Sequence, residues 1–537
     1  MTIVSACLFL LLLVAPFEPR FTIPLGLFRV SLVEAVALPC FAVFAFSSRK
    51  REGGSPLPRP LLALALLVIV SLISASLAAI DPGRAFKFAL RIGGMAAFAA
   101  LVSRLDEAPL SWGFRALAFS GSCAAALALG EGLGARSLDV WLGAFREIPF
   151  NVAGIRRASA GSEYPNLGAA MIVYALLAGV TLLRSRPWLR GAMVVLLTFG
   201  LAFTYSRGAW VAGLAGLVAV LLLDRGVFRI RVQPVVLYLA VLGVFMAQEE
   251  ISQVRLGGEN ANDFYAATYD APRQFAMDSS ARVLVPVTVS NIGRRPWRKA
   301  DEIHLSYHLY QNALRPLVDG PRTDLPRDVM PGESVTLDAI LRAPLLPGEY
   351  VLLWDLVHED TTWFSGQGVK PGVARLIVGS GTPAPAPAYT EEAALKTLPE
   401  TLAWRPSRLE LWAIAVRLWT ENPFFGAGPD TFRWMYGTKV GKTAFDTRVF
   451  ANNMYLEFAA TLGTFGLAAF GAALGFALWN GWRAAPASDV PLMAFSILVA
   501  MSVHGLADYL LAFTGHYLVW GFAVGALCRV APSSGAR

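Results

Sequence analysis

The sequence predicts an α-helical polytopic membrane protein of about twelve transmembrane helices, with an all-β sandwich domain inserted into one large loop. Three observations predict this class. Of the 537 residues, 55% are hydrophobic and only 16% are charged, which is less charge than a soluble chain of this length carries. Apolar runs close to the length of a membrane crossing recur along the chain. The segment 248–452 interrupts them with short alternating strands.

Hydropathy predicts the crossings, and the basic loops predict their direction. The predicted spans are 2–17, 24–46, 60–80, 85–103, 112–133, 167–183, 189–206, 208–224, 233–247, 453–479, 491–511 and 515–530, of which the first two could instead be re-entrant. The basic loops "SSRKREGGSPLPR", "LRSRPWLR" and "DRGVFRIR" fall on one side if the helices alternate, and that side is the cytoplasm. We therefore predict a bacterial inner-membrane protein with both termini cytoplasmic and with 134–166 and 248–452 in the periplasm.

The composition argues against several classes of function. The formal net charge of +8 comes from Lys and Arg clusters between the spans, so we attribute it to cytoplasmic loops and not to a nucleic-acid site. The histidines and cysteines show no metal-ligand spacing. A phosphate-binding glycine loop is also absent from the sequence. We therefore predict no metal and no cofactor.

The outer segment predicts a β-sandwich of immunoglobulin-like character over 272–380. Valines alternate in "ARVLVPVTVSN", and "EIHLSYHLYQN" alternates in the same way, as in strands with one buried face. The predicted domains are 1–250 with the first nine spans, the sandwich at 272–380, a Pro/Ala linker at 381–404, an amphipathic helix region at 405–450 and the last three spans at 451–530. The aromatic residues Trp297, Trp354, Trp363 and Phe364 could bind glycan, but packing in the sandwich is the favoured interpretation.

Arg207 stands in "TYSRGAWVAG" between two strongly apolar stretches, at the predicted outer ends of two neighbouring spans. A charge there is costly unless it lies at a water interface or serves a site. Because arginine always carries charge and binds phosphate oxygens through two N–H groups, Arg207 is a candidate anion-binding residue. A side chain that merely reaches the interface is the alternative, and the sequence leaves both open.

Further polar residues lie near the predicted outer helix ends. Arg408 opens an amphipathic helix whose apolar residues are Leu409, Trp412, Ala413, Val416 and Trp419, and the glycine-rich turn "ENPFFGAGPDTF" follows it. His504 and Asp508 are predicted i,i+4 neighbours on one face of the eleventh span, and Lys87 and Arg91 form a similar basic pair in the fourth. The His504–Asp508 pair is either a functional site or a structural polar contact between helices. Lys87 and Arg91 either hold a lipid phosphate or extend to the membrane interface.

Taken together, "TYSRGAW", "ENPFFGAGPDTF", "NNMYLEFAATLGTFG" and "HGLADY" resemble the superfamily of O-antigen ligases and Wzy-type O-antigen polymerases. The segment "IRRASAGSEYPNLGAAM" resembles the arginine and Pro-Asn entry of that family into a span. The likeness covers roughly 60–247 and 405–530 and leaves the sandwich outside it.

The resemblance implies a metal-independent membrane glycosyltransferase for surface polysaccharide, either O-antigen of lipopolysaccharide or exopolysaccharide. The implied donor is a glycan on undecaprenyl pyrophosphate, and the implied acceptor is another glycan or lipid A-core at the periplasmic face of the bilayer. The family arginines that hold the diphosphate map onto Arg207 and Arg408, with Arg156 or Arg157 as further candidates. The predicted catalytic residues are Arg207, Arg408, His504, Asp508 and Glu457, and the predicted substrate-binding residues are Arg156, Arg157, Asn166, Lys87, Arg91, Asp430, Asn452 and Asn453.

The chain departs from the ligase pattern at Asn452, where ligases carry a histidine that is their proposed general base. Asparagine cannot accept a proton at neutral pH. Either no base is needed there, or Glu457, Asp430 or His504 replaces it. This departure favours the polymerase over the ligase. A transporter or flippase of lipid-linked oligosaccharide is the alternative function, although the internal repeats typical of transporters are not evident.

Overall fold

The protein is represented by a computed structural model, which describes residues 2–25, 28–48, 57–78, 80–146, 149–152, 155–248, 264–310, 318–359, 362–379, 406–442 and 445–529. The predicted linker at 381–404 lies outside these residues.

Helices form the first and last parts of the described chain. Before the β domain they are α1 (Ile3–Val14), α2 (Leu32–Ser48), α3 (Arg59–Ser76), α4 (Pro82–Val102), α5 (Glu107–Gly132), α6 (Leu138–Leu142), α7 (Pro165–Leu182), α8 (Pro187–Phe203), α9 (Arg207–Leu223) and α10 (Phe228–Met246). After it they are α11 (Arg408–Glu421), α12 (Phe432–Met435), α13 (Met454–Ala484), α14 (Asp489–His504) and α15 (Thr514–Leu527). Two short hairpins, β1 (Thr22–Leu25) with β2 (Phe28–Ser31) and β3 (Phe150–Val152) with β4 (Ile155–Arg157), join helices.

Six helices in the described part of the chain are long and apolar enough to cross a membrane, namely α3, α4, α5, α7, α10 and α13. The helices α1, α2, α8, α9 and α14 are apolar but shorter. The architecture is therefore that of a polytopic helical membrane protein, as predicted. The count of about twelve crossings stays a prediction.

Helix α7 lies at the centre of the bundle and carries Asn166 in its first turn. Pro165 begins this helix, which suits proline because its φ is preset and its missing N–H would be unpaired in the first turn. The helix packs against α5, α8, α9 and α14, and 89% of its residues are buried. Its first turn is consequently held between several other helices.

The β domain contains two sheets that share one apolar core. Its strands are β5 (Ala267–Asp270), β6 (Gln274–Met277), β7 (Arg282–Asn291), β8 (Ile303–Tyr310), β9 (Val318–Asp319), β10 (Thr323–Asp324), β11 (Ser334–Arg342), β12 (Gly348–His358), β13 (Thr362–Trp363) and β14 (Gly372–Val378). One sheet has the order β11-β7-β5, and the other has the order β10-β8-β12-β14-β6 with β9 and β13 beside it. Strand β5 begins before the predicted boundary at 272. The immunoglobulin-like character stays a prediction.

Alternation in the sequence identifies the buried face of the strands. Val285, Val287 and Val289 of β7 are buried in the shared core, whereas Val283 at the strand end is exposed. The four apolar residues Ile303, Leu305, Tyr307 and Leu309 of β8 are also buried. Of the four aromatic residues, Trp297, Trp354 and Phe364 are almost fully buried, and Trp363 is half-buried. Burial of these three favours packing over glycan binding.

The β domain contacts the membrane part at hairpin β3–β4. Ile155 packs against the β-domain core and also against the aromatic cluster around Tyr205 and Phe245. Nearby, Arg136 Nη2 lies 3.5 Å from Glu302 Oε2. Since this ion pair is exposed, it contributes little by itself, and the apolar contact of Ile155 is the more important of the two.

A rise in pH should weaken the β domain through His308. Burial lowers the pKa of this histidine, but the carboxylates of Asp355 and Asp319 outweigh burial and raise the pKa above its ordinary value. His308 Nδ1 lies 2.7 Å from Asp319 Oδ1, and Nε2 lies 3.7 Å from Asp355 Oδ2. Because the folded pKa exceeds the unfolded one, the stabilisation is complete below a pH of about 6.5 and is lost as the pH rises through the folded pKa.

The measurement is the thermal unfolding of the full-length protein in detergent across this pH window, with Asp319→Asn as the comparison. We expect the midpoint assigned to the β domain to fall with rising pH in the wild type and to fall less in the variant. The same pH dependence in both proteins would rule out this role for His308.

Candidate functional site

A tight turn between α8 and α9 presents Arg207. Tyr205 is buried and adopts a left-handed conformation with φ of 52°, which reverses the chain within a few residues. Arg207 is exposed and begins α9. Strand β4 continues onto this turn, because Ala158 N donates to the Phe203 carbonyl at 2.9 Å and Arg157 Nε donates to the Thr204 carbonyl at 2.9 Å. Hairpin and turn therefore form one unit.

A chain of side-chain hydrogen bonds runs from this unit to the far end of the sequence. Arg157 Nη2 donates to Asn166 Oδ1 at 2.7 Å, and Asn166 Nδ2 donates to Asp508 Oδ2 at 2.7 Å. The other carboxylate oxygen of Asp508 accepts from the backbone N–H of Tyr509 at 2.8 Å. Three of the predicted site residues are thus directly connected, although Asp508 lies 342 residues beyond Asn166 in the sequence.

The prediction that His504 and Asp508 share one face of a helix is wrong. Helix α14 ends at His504, with Gly505 as its C-cap, and the next residues form turns, so Asp508 lies beyond the helix. Gly505 itself keeps a right-handed helical conformation, and its carbonyl accepts from Met454 N at 2.7 Å instead of continuing the helix. The two side chains nevertheless remain close enough for the charge of Asp508 to act on the His504 imidazole.

His504 is a buried residue that lies close to both chain segments carrying the predicted arginines. Its side chain packs against Gly208, since a Cβ on this glycine would lie 3.1 Å from His504 Cδ2. Gly208 follows Arg207 directly. The charge of Arg408 also acts on His504. The structure therefore brings Arg207, Arg408, His504 and Asp508 into one neighbourhood, which we call the arginine site.

Helix α11 carries Arg408 at its exposed first turn. Ser407 caps the helix: its Oγ accepts from Glu410 N at 3.3 Å, and the carboxylate of Glu410 accepts from Ser407 N at 2.7 Å. The predicted helix is confirmed, but its packed side is different from the predicted stripe. The buried residues are Leu411, Ile414, Ala415 and Leu418. The predicted residues Leu409, Ala413 and Val416 are exposed, and Trp412 and Trp419 are half-buried.

Asn452 and Asn453 lie between α11 and the end of α14. Asn452 has φ of 50°, and its carbonyl accepts from Trp412 Nε1 at 3.4 Å. Asn453 caps α13 through its Oδ1, which accepts from Tyr455 N and Leu456 N, and its Nδ2 donates to the Leu506 carbonyl at 3.1 Å. The polar side chain of Asn453 is therefore used within the structure, as a helix cap. The Asn452 side chain stays the candidate substrate contact of the two.

Glu457 supports the same loop from inside. It is almost fully buried, and its Oε2 accepts from Ala451 N at 2.8 Å. Asp430 and Arg433 act electrostatically on it. The structure places Glu457 behind the Asn452 loop, in a position that supports it.

The glycine-rich turn crosses a break in α13. Gly463 has φ of 69° and ψ of −168°, which interrupts the helix. The turn hydrogen-bonds to the exposed backbone there: Ala427 N donates to the Ala460 carbonyl at 2.9 Å, and Thr464 N donates to the Pro423 carbonyl at 2.8 Å. Close approach of two backbones requires glycine, and this contact positions Asp430 at the end of the turn.

Arg156 belongs to a separate network from Arg157. Arg156 and Arg146 both bind the carboxylate of Asp139, and Arg146 also binds the buried carboxylate of Glu131. Burial would raise the pKa of Asp139, but the guanidinium groups of Arg156 and Arg146 hold it below its ordinary value. The structure therefore pairs Arg156 with protein carboxylates and directs Arg157 to Asn166.

A cavity of about 540 Å³ opens beside the arginine site. It contains three residues predicted from the sequence, Lys87, Arg91 and Asp430. Its other ionisable lining residues were not predicted: they are Glu18, Arg20, Glu163, Arg433, Arg448 and His516. Aromatic residues complete the wall, among them Phe88, Tyr164, Phe450 and Phe513. Of these ionisable residues, Arg433 could have been predicted from the sequence, because it follows Asp430 by three residues in "GPDTFR".

Two connections join the cavity to the arginine site. His516 lines the cavity, lies 3.3 Å through Nδ1 from the hydroxyl of Tyr174, and is close enough to His504 for their charges to interact. Tyr164 and Leu167 line the cavity on either side of Asn166 in the chain. A ligand in the cavity would therefore lie next to the residues around His504.

The described fold and site define a polytopic membrane protein with an arginine site and a charged cavity beside each other at the ends of its helices. Among the described residues, no group of three or more His, Cys, Asp or Glu side chains could hold a metal ion. Residues 390–471 match the family model described as O-antigen ligase, and the match supports membership of the O-antigen ligase family as predicted. The matched segment includes Arg408, Asp430, Asn452 and Glu457. No curated protein matches the chain.

Proposed function

We propose that the protein is a membrane glycosyltransferase that moves a glycan from undecaprenyl pyrophosphate to an acceptor glycan or lipid at the periplasmic face. The observation that supports this proposal is that buried His504 packs against Gly208, the residue after Arg207, and lies within reach of the charge of Arg408. The two arginines come from distant parts of the chain and both have exposed side chains. The ligase family supports a lipid-linked glycan as the substrate class.

The arginines act on the leaving group. When the bond between the sugar C1 atom and the diphosphate oxygen breaks, negative charge grows on that oxygen. Two guanidinium groups held at fixed positions stabilise this charge as it develops, and each can bind two phosphate oxygens. Arg157 supports this unit from behind, because it joins the turn before Arg207 to Asn166.

His504 is the proposed general base in place of the family histidine missing at Asn452. The acceptor hydroxyl oxygen forms the new bond to C1, and its proton passes to the imidazole. Asp508 lies near enough to stabilise the protonated ring. Asp430 is engaged with Arg433 through two hydrogen bonds of 2.7 Å, and Glu457 supports the Asn452 loop, so both are less suited to this task.

Deletion of the gene in its host tests the function. A transferase should leave glycan on the undecaprenyl carrier at the periplasmic face, and short or unattached chains should appear on a gel of surface polysaccharide. Short chains indicate a polymerase, and free long chains indicate a ligase. Accumulation of the lipid-linked glycan on the cytoplasmic leaflet would instead indicate a flippase and contradict the proposal.

Replacement of His504 by asparagine tests the base. We expect turnover in a reconstituted assay to fall by about 10²- to 10⁴-fold, and Asp508→Asn to reduce it less, because Asp508 acts through His504. The wild type should lose activity at acidic pH as the base becomes protonated, and this dependence should disappear in His504→Asn. Unchanged turnover would exclude His504 as the base. The proposed role of Arg207 and Arg408 in holding the diphosphate would still stand.

A further inference from the structure

We infer that the cavity binds the saccharide part of a glycan substrate, with sugar hydroxyls on its paired charges and sugar ring faces on its aromatic wall, and that it does not bind the diphosphate. This inference rests on the proposed function, because it assigns the sugar and the diphosphate of one substrate class to two neighbouring places.

Three arginines that line the cavity are each paired with a carboxylate, and one of these carboxylates, that of Asp430, lines the cavity as well. Arg433 holds both oxygens of Asp430 at 2.7 Å. Arg91 Nε lies 3.0 Å from Glu34 Oε1, and Arg448 holds both oxygens of Asp446 at 2.9 Å.

This pairing suits hydroxyl groups better than a diphosphate. A diphosphate would have to compete with each carboxylate for the same guanidinium N–H groups. A sugar hydroxyl both donates and accepts. It can therefore accept from an arginine N–H and donate to a carboxylate lone pair without separating the pair. Arg207 lies outside the cavity lining, at the first residue of α9.

Aromatic rings continue along the wall. Tyr164 lies 6.0 Å from Phe513 in an edge-to-face arrangement, and Phe513 lies 6.2 Å from Phe450. The guanidinium carbon of Arg433 lies 5.4 Å from the centre of the Phe450 ring. Apolar ring surface beside a few fixed polar groups is typical of small-molecule sites. The C–H face of a pyranose can pack on such rings while its hydroxyls reach the charged pairs.

Size and position agree with a saccharide. The cavity volume of about 540 Å³ lies within the range of sites for ligands as large as a drug molecule. His516 and the residues beside Asn166 separate it from the arginine site. A sugar bound in the cavity would therefore have one end at His516, the lining residue that is close enough to His504 for their charges to interact.

Binding to the purified full-length protein in nanodiscs tests the inference with three probes. The first is the repeat-unit oligosaccharide released from the host surface polysaccharide, the second is the delipidated core oligosaccharide, and the third is inorganic pyrophosphate. The variants are Tyr164→Ala, with Tyr164→Phe as its matched control, and Arg207→Ala. We expect Tyr164→Ala to weaken oligosaccharide binding about tenfold and to leave pyrophosphate binding unchanged. Arg207→Ala should do the reverse.

Binding of the repeat unit alone assigns the cavity to the donor or growing chain, and binding of the core alone assigns it to a lipid A-core acceptor. Binding of both keeps the saccharide assignment. Binding of neither oligosaccharide, or loss of pyrophosphate binding in Tyr164→Ala, overturns it. Retained oligosaccharide binding with no pyrophosphate binding to the wild type would instead contradict the proposed function alone.

Folding of the variant has its own control. Tyr164 is half-buried and lies 5.4 Å from Phe150, so Tyr164→Ala must keep the wild-type unfolding temperature to be informative. If it does not, Arg448→Gln replaces it, because this side chain is 61% exposed. Arg448→Gln should weaken oligosaccharide binding several-fold and leave pyrophosphate binding intact; unchanged oligosaccharide binding in this variant also overturns the inference.

Discussion

Arg207→Ala and Arg408→Ala should each reduce glycan transfer on the order of 10²-fold or more, while the protein still inserts into the membrane. Both side chains are exposed in the first turn of a helix, so their removal leaves no void in the core. What is lost is fixed positive charge where the diphosphate leaves. The lysine variants should recover part of the activity, because lysine keeps the charge but cannot bind two oxygens in a plane.

The measurement combines turnover of lipid-linked glycan by the purified protein with the length and attachment of surface polysaccharide in cells. Arg225→Ala is the matched control, since Arg225 is exposed just beyond the opposite end of α9 and should have no effect. Wild-type chain length and attachment in both alanine variants would remove the arginines from the mechanism.

Gly463→Ala should destabilise the membrane part and abolish activity. Gly463 has φ of 69°, and a Cβ there would lie 2.3 Å from the Phe424 carbonyl oxygen. The backbone conformation is nearly restricted to glycine and costs about 1–3 kcal/mol for another residue, and the clash with a fixed backbone adds to this. Gly426→Ala should behave alike, because its φ is 70° and its Cβ would lie 2.3 Å from the Thr461 carbonyl carbon.

Gly471→Ala in the same helix is the matched control. No atom lies within 4 Å of a Cβ at this position, and alanine in place of helical glycine should stabilise by about 0.5–1 kcal/mol. Thermal unfolding in detergent and the amount of protein in the membrane fraction measure the loss of stability in Gly463→Ala and the gain in Gly471→Ala. If Gly463→Ala were as stable as Gly471→Ala, the contact between the glycine-rich turn and the break in α13 would not be needed for folding.

Several features of this fold could be predicted because they depend on short stretches of chain. The alternation in β7 and β8 predicts the buried side of each strand, and the apolar runs predict a multi-pass helical protein. The glycines in "GAGPD" predict a turn whose backbone can be approached closely, and those in "LGTFG" stand in a predicted span. The sequence does not show that these two motifs contact each other, because each glycine records only its own backbone requirement.

Other features depend on residues far apart in the chain and were missed for that reason. The end of α14 at His504 is set by packing and by the turn after Gly505, whereas the helical period alone continued to Asp508. The packed side of α11 was misassigned. The residues that meet other parts of the protein are Leu411, Ile414, Ala415 and Leu418. The predicted side was instead chosen on Trp412 and Trp419, which also suit a membrane interface. The cavity was not foreseen, since its residues come from several separate segments.

The sequence by itself determined the membrane class, a separate β region, the segment that matches the O-antigen ligase family model and the positions of the candidate charged residues. Only the tertiary structure decided which polar groups meet: Arg157 bonds to Asn166, Asn166 bonds to Asp508, and Arg156 pairs with Asp139. The physical reason is that periodicity and composition act over one or two turns of chain, whereas the strength of an ion pair depends on distances between helix ends that only the packing of the bundle sets.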